Sequence, residues 1–336
     1  MTTRRVVAFG GGHGLSASLR ALRHCAPELD LDITAVVTVG DDGGSSGRLR
    51  AERGGLPPGD LRQALVALAG DHPATRRSAG LFQHRFAAAD VPPSAALDGA
   101  DGAAARADGL AGHAVGNLVL CGLMELLGDP VAALEHAGAM LGAVGRVLPM
   151  SREPVGIEAR VRGADPAAPD EVRTVRGQHQ VAVTTGRVES LRLSPTAPAA
   201  CAEALAAIGA ADWLIFGPGS WYTSVLPHLL VPQLADAIVS SPARRLVTLN
   251  LAAEKETLGL SVADHLAALH WYLPELKVDL VLADAKAVGD PEPVERAAES
   301  LGARLVLAPV AVVDGTPRHD PAALGAALVP VLGADR

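Results

Sequence analysis

The densest run of chemically capable side chains is Gly40-Asp41-Asp42-Gly43-Gly44-Ser45-Ser46-Gly47-Arg48-Leu49-Arg50. It sets two carboxylates, two hydroxyls and two guanidiniums among four glycines, and it reads as a loop leaving the end of a strand. Hydroxyls and guanidiniums donate to phosphate oxygens. Carboxylates in such a loop can hold Mg²⁺, which commonly takes one or two of them and keeps several waters. A second cluster, Leu56-Pro57-Pro58-Gly59-Asp60-Leu61-Arg62, follows at once. From these stretches Asp42, Ser45, Ser46, Arg48, Asp60 and Arg62 are the candidate ligand contacts. Asp60 with Asp41 or Asp42 is the candidate Mg²⁺ pair, Asp42 being preferred. Asp60 has a competing structural role, because it stands where it would N-cap a helix running from Leu61 to Ala69.

Two glycine turns add backbone donors. Val6-Val7-Ala8-Phe9 is a buried-strand run that enters Gly10-Gly11-Gly12-His13-Gly14, after which Leu15, Leu19 and Leu22 recur at helical spacing. A helix that begins at such a turn points its unpaired N–H groups and positive dipole end over the sheet edge, where phosphate binds. Gly11, Gly12, His13 and Gly14 are therefore candidate phosphate contacts. The run is neither a strict G-x-G-x-x-G nor a Walker A loop. Asp212 to Phe216 repeats the pattern, ending in Gly217-Pro218-Gly219-Ser220 before a second helix. Gly217, Gly219 and Ser220 are the candidates for a second anion cup on the same edge.

Elements that would carry these turns alternate along the chain. Strand character recurs at 33–39, 144–150, 212–216, 245–251, 278–282 and 304–308, separated by amphipathic stretches. Continuous apolar strands alternating with helices indicate an α/β fold, a mostly parallel sheet with helices on both faces. Residues 1–330 read as a single α/β domain. Residues 72–143 read as an inserted helical subdomain, within which 87–111, an Ala/Asp/Gly/Pro run without periodicity, is expected to be flexible. Asn117 lies in that insertion, as a satisfied core amide or a ligand contact. Residues 151–193 read as hairpin-rich, with period-two strands at 154–161, 172–176, 180–184 and 188–193.

Composition sets the limits. The chain has 336 residues, 49% of them hydrophobic, and a formal net charge of −8. With only 3% aromatic residues and no basic stripe, it has no stacking platform for nucleic acid. Three scattered cysteines, Cys25, Cys121 and Cys201, imply neither a zinc site nor a disulfide framework. No signal-type segment opens the chain, and its most apolar stretch, 114–127, is too short to span a bilayer. A cytoplasmic protein without membrane insertion is expected.

Taken together, the blocks at 10–16, 41–50, 56–62, 81–86, 112–118, 145–149 and 217–226 resemble, in order, those of the YvcK/CofD-like family. Its members include the so-called gluconeogenesis factor and, more distantly, 2-phospho-L-lactate transferase, and the likeness is to the former branch. The resemblance implies a Rossmann-like fold and a UDP-sugar ligand such as UDP-N-acetylglucosamine. It also implies a role in cell shape and cell-wall precursor supply during growth on gluconeogenic carbon sources, with no catalysed reaction established. Protein partners in cell-wall synthesis and a homo-oligomer fit that role. Three departures stand out: His13 replaces the usual threonine, Gly40 replaces alanine, and Asn250–Thr257 keeps only Glu256-Thr257 of the family's segment.

The competing reading is a transferase that moves a phospho-carboxylate group from a nucleotide-linked donor with Mg²⁺ at Asp42 and Asp60. An NAD(P)-dependent dehydrogenase fits less well, because the acidic residue expected at the end of the second strand is displaced into the glycine-rich run.

Overall fold

A computed structural model describes residues 2–88 and 108–334. Ten strands are present among them: β1 (Arg4–Gly10), β2 (Leu31–Val37), β3 (Arg146–Pro149), β4 (Gly156–Arg162), β5 (Val172–Arg176), β6 (Arg187–Ser194), β7 (Trp213–Phe216), β8 (Arg244–Thr248), β9 (Leu280–Asp284) and β10 (Arg304–Ala308). Seven form one sheet in the order β10-β9-β8-β7-β1-β2-β3, and every pairing in it is parallel. The fold is α/β and Rossmann-like. Successive residues Val6, Val7, Ala8 and Phe9 point to opposite faces of the sheet, yet all are buried, so both faces are covered.

The strand order reverses between β1 and β7. Open α/β sheets bind ligands at the carboxyl ends of the strands beside such a reversal. Phe9 and Phe216 stack across it with ring centroids 4.8 Å apart.

Two groups of elements are carried on this sheet. Between β2 and β3 lie helices Gly44–Arg53, Pro58–Leu68, Pro73–Gln83, Val115–Leu127 and Pro130–Leu141. The second group is a three-stranded antiparallel sheet, β5-β4-β6, between β3 and β7. Of the stretch 87–111, residues 89–107 lie outside the described residues. Its flanks pair with each other: Phe86 N–H donates to His113 O at 3.1 Å and Gly112 N–H to Phe86 O at 2.8 Å.

Three local expectations are corrected. The period-two stretch at 180–184 is not a strand but part of helix Gln178–Val183. Gly177, at φ +95°, turns the chain, and the His179 N–H in the first turn donates to Asp42 Oδ1 at 2.8 Å, a tertiary contact that overrides the alternation. The run after Asp42 is not an open loop, because a helix starts at Gly44 and buries Ser45, Ser46 and Leu49. Asp60 does not cap its helix. The helix begins at Pro58 with Pro57 as cap, which leaves Asp60 inside the first turn with its carboxylate available for another task.

Candidate functional site

The first glycine turn joins β1 to helix Gly12–His24. Gly12 sits at φ +57°, a conformation costly for residues with a Cβ. Gly14 is required for a different reason. A Cβ there would overlap the Pro218 carbonyl oxygen and lie 2.5 Å from Gly219 Cα. The two glycine turns therefore touch and open on one rim of the sheet. Ser18 reinforces the contact by donating to Gly217 O at 3.0 Å. His13 stands exposed at the start of the helix.

Asp60 lies beneath the first turn, only 6% exposed. Its carboxylate accepts from Thr38 Oγ1 at 3.2 Å and from the Gly12 backbone N–H. Burial, and after it the neighbouring Asp41 charge, push Asp60 up to about 6 against the opposing hydrogen bonds from Thr38, Gln178 and Gly12. Asp41 is thus the carboxylate beside Asp60. Asp42, the preferred metal partner on sequence grounds, turns instead to the helix at Gln178, where it accepts the His179 N–H. Among the described residues, no group of three or more His, Cys, Asp or Glu side chains is arranged to hold a metal ion.

Beside Asp60, Arg62 is 3% exposed. Burial first, then the Arg85 charge, lower it to about 10, against the pull of Asp60 and Asp41. Its Nε donates to Asn117 Oδ1 at 2.8 Å, and Asn117 Nδ2 donates to Ser45 Oγ at 3.0 Å. Ser45 Oγ also lies 2.9 Å from His113 Nδ1. Burial, then the Arg48 charge, hold His113 below the ordinary histidine range. Asn117 is therefore a core amide satisfied at both ends, and it ties helix Val115–Leu127 to the phosphate-capable elements.

The second turn is chemically different. Gly219 N–H donates to Asn250 Oδ1 at 2.8 Å, and Asn250 Nδ2 donates back to Gly219 O at 2.9 Å. Ser220 Oγ donates to Glu254, and Tyr222 N–H donates to Glu256 Oε1 at 2.8 Å. The donors expected to form a second anion cup thus face acceptors from the chain after β8. Burial is the main force pushing Glu256 up to about 7. The turn continues into a single π-helical stretch, Trp221–Val225.

An open cleft of about 630 Å³ lies at the start of helix Gly44–Arg53, lined by Asp42, Ser45, Arg48 and Arg85 with Gly44 and Gly112. Arg48 Nη2 donates to Ala111 O at 2.6 Å and Arg85 Nη1 to Gly112 O at 2.9 Å.

Asp41 figured only as the less preferred partner of Asp60 for Mg²⁺, and Thr38, Gln178 and the acceptors Asn250, Glu254 and Glu256 did not figure among the candidate contacts. A signal for the last three was present, since polar residues follow β8 at the same sheet edge as the glycine turns.

Residues 6–306 match the model of the family described as 2-phospho-L-lactate transferase CofD. The chain belongs to the YvcK/CofD-like family. It is 48% identical to the "Putative gluconeogenesis factor" of Mycobacterium tuberculosis, over 99% of this chain and 92% of that protein. The "Gluconeogenesis factor" of Bacillus subtilis is 34% identical, over 90% of this chain and 84% of its own. A crystal structure of a UPF0052 family member from Bacillus halodurans superposes with a TM-score of 0.80 at 32% identity, covering 98% of this chain and 100% of that one. No helix among the described residues is long and apolar enough to cross a membrane.

Proposed function

We propose that the protein is a cytoplasmic nucleotide-sugar-binding regulator of the gluconeogenesis-factor type, with a UDP-sugar such as UDP-N-acetylglucosamine as ligand. The observation that carries this reading is the first glycine turn. It opens a 13-residue helix at the strand-order reversal, with the buried Arg62 beside it. Backbone N–H groups at Gly11, His13 and Gly14 take the phosphates, Gly12 shapes the turn with its own N–H on Asp60, and Arg48 and Arg62 supply positive charge within an acidic chain. Ser45, Ser46 and Asp42 line the approach, and Asn117 holds Arg62 in place. Gly217, Gly219 and Ser220 form the wall against which the first turn is set. Ligand binding biases the arrangement of the helices between β2 and β3, which reports sugar-nucleotide status to partners in cell-wall synthesis. The names of the relatives support a role in growth on gluconeogenic carbon sources; control of cell shape extends that role.

Calorimetry with UDP-N-acetylglucosamine tests the reading. Micromolar binding is expected, weakened about tenfold or more by Gly12→Asp, a loss of roughly 1.4 kcal/mol or greater. That variant places a carboxylate at φ +57°, next to Asp60 and facing the phosphates. Heats equal to buffer for every UDP-sugar tried would reject the proposal.

The transferase reading is favoured by one observation, the adjacency of Asp41 and Asp60. The Asp41 charge disfavours ionisation of Asp60, and a divalent cation held between the two would relieve this. The donor set fits Mg²⁺ bound by two carboxylates and waters, where it would neutralise phosphate charge. Mg²⁺-dependent turnover of a nucleotide-linked phospho-carboxylate donor would establish this alternative.

A further inference from the structure

The outer face of the three-stranded sheet β5-β4-β6 is basic in an acidic chain. Strand β4 alternates cleanly: Ile157, Ala159 and Val161 are buried, while Glu158, Arg160 and Arg162 point the other way. Antiparallel pairing sets Arg176 and Arg192 on either side of Glu158, and Arg187 beside Arg162. Arginines dispersed between residues 160 and 192 are thereby gathered on one surface, which is why no basic stripe shows in the sequence. Five guanidiniums share two carboxylates there. Glu158 accepts from Arg192 Nε at 2.8 Å and from Arg176 Nε at 3.0 Å, and Glu189 accepts from Arg162 Nε at 2.7 Å with Arg187 3.8 Å away. Arg160, exposed in the middle of the face, is in no ion pair or side-chain hydrogen bond among the described residues. Of the acids in the turn between β4 and β5, Asp165 and Glu171 pair with Arg173, which leaves Asp170 at the rim.

The sheet is also open at one edge, because β5 pairs with β4 alone. Gly177 N–H donates to Ile157 O at 2.8 Å and Gly163 N–H to Glu171 O at 2.9 Å, so the odd-numbered residues of β5 exchange hydrogen bonds with β4. The N–H and C=O groups of Val172, Thr174 and Arg176 therefore point away from the sheet, and none has a partner among the described residues. The same three residues turn their side chains to the arginine face. A row of unpaired backbone groups is a template for another strand. β5 runs directly into Gly177 and the helix whose His179 N–H holds Asp42, so the open edge adjoins the candidate site.

We infer that the β5 edge and the arginine face together dock an acidic, extended segment of a partner protein. The segment adds as a strand beside β5 and exchanges main-chain hydrogen bonds with Val172, Thr174 and Arg176. Its alternate carboxylates then lie over the arginine face. Arg160 is directly opposite Thr174, whose side chain is short. A glutamate opposite Thr174 on the added strand stands about 10 Å from the Arg160 backbone, two strand spacings away, and the two long side chains meet over the threonine. A second copy of this chain fits poorly, because edge-to-edge pairing would set two surfaces of like charge side by side. Nucleic acid fits poorly too, since the face carries no aromatic side chain for base stacking and Glu158 and Glu189 oppose phosphates. None of these residues is assigned to the nucleotide sugar, so the inference stands apart from that reading.

The test titrates the intact protein into a fluorescein-labelled peptide, Glu-Thr-Glu-Val-Glu-Thr-Glu, at low ionic strength and follows anisotropy. Saturable binding is expected, with the peptide carrying glutamine in place of each glutamate about tenfold weaker. Arg160→Glu should weaken binding about tenfold or more, and it should fold, since Arg160 is exposed and makes no side-chain contact that the change would break. Arg20→Glu, the same change of charge at an exposed position on helix Gly12–His24, should bind within about twofold of the native protein. Hydrogen exchange followed by NMR reads the backbone: the Thr174 and Arg176 amides should slow when the peptide is bound. Absence of saturation by about 1 mM peptide, or equal losses in Arg160→Glu and Arg20→Glu, would overturn the docking surface. Unchanged exchange at both amides would overturn strand addition, and tighter binding of a short oligothymidylate than of the peptide would give the face to nucleic acid instead.

Discussion

The two glycine turns have the same sequence grammar, a buried strand, a glycine cluster and a helical start, and they meet at Gly14 and Gly219. Their surroundings differ in sign. The first turn has an acid beneath it, Asp60, which takes the Gly12 N–H from inside, while Arg62 provides positive charge beside it. The second has its outward donors engaged by Asn250, Glu254 and Glu256. A phosphate approaching the second turn would meet carboxylates. Glycine content and strand–helix context say where the backbone turns sharply, whereas the side chains that come back to the turn decide whether it binds an anion or braces a neighbour.

The contact between the turns offers the largest test. Gly14→Ala puts a methyl group into the Pro218 carbonyl, and backbone must move to relieve it. Overpacking of this kind costs about 1–3 kcal/mol, and a backbone collision belongs at the upper end, ~3 kcal/mol. Denaturant unfolding should show that loss together with a collapse of UDP-sugar affinity. If the variant is stable and binds normally, the turns are independent and the comparison between them loses its basis.

A smaller effect separates the turns by pH. The folded protein holds the Asp60 proton up to about 6, against an ordinary value of 3.8, and the Glu256 proton up to about 7, against 4.5. Each folded-state value is raised, so the native state binds more protons than the unfolded chain within each window. Stability is therefore greatest below the lower value and falls as pH rises through the window. Each group contributes a loss on the order of 2–3 kcal/mol by neutral pH. Unfolding free energies between pH 4 and 8 carry these two downward contributions against upward ones from the buried His228 and His319, each held down to about 4 chiefly by burial. Asp60→Asn should remove the downward contribution over the acidic part of the profile, and Glu256→Gln the one nearer neutrality. Mg²⁺ held at Asp60 and Asp41 would reduce the first component only. A slope unchanged by either substitution would remove the assignment of buried acids to the two turns.

The sheet was legible because its strands are continuous apolar runs, buried on both faces, and the alternation with helices dictates a parallel arrangement. The first glycine turn was legible for the same reason, since its strand and helix are local in sequence. Asp41 and Asp42 were harder, because neighbouring residues of an extended segment point to opposite sides and nothing in an Asp-Asp pair says which side faces Asp60. Helix Gln178–Val183 was hidden because its first turn is held by Asp42, far away in the chain. The occupants of the second turn were hidden likewise, as Asn250 lies 31 residues from Gly219 and comes back only through the pairing of β7 with β8.

Asn250 also provides the smallest and sharpest test. Asn250→Ala leaves the N–H and C=O of Gly219 without their side-chain partner. Gly219 is buried, so the loss should be about 1–3 kcal/mol, the penalty for an unpaired buried polar group. Thermal unfolding reads that loss, and calorimetry with UDP-N-acetylglucosamine then decides what it means. If the second turn is a brace, the variant melts earlier and binds the ligand within about threefold of the native protein, a difference below ~0.7 kcal/mol. If the turn is a phosphate cup blocked by its own asparagine, freeing the Gly219 N–H tightens binding instead. A gain in affinity would thus make the two turns alike, and the contrast drawn from their surroundings would describe only the unliganded state.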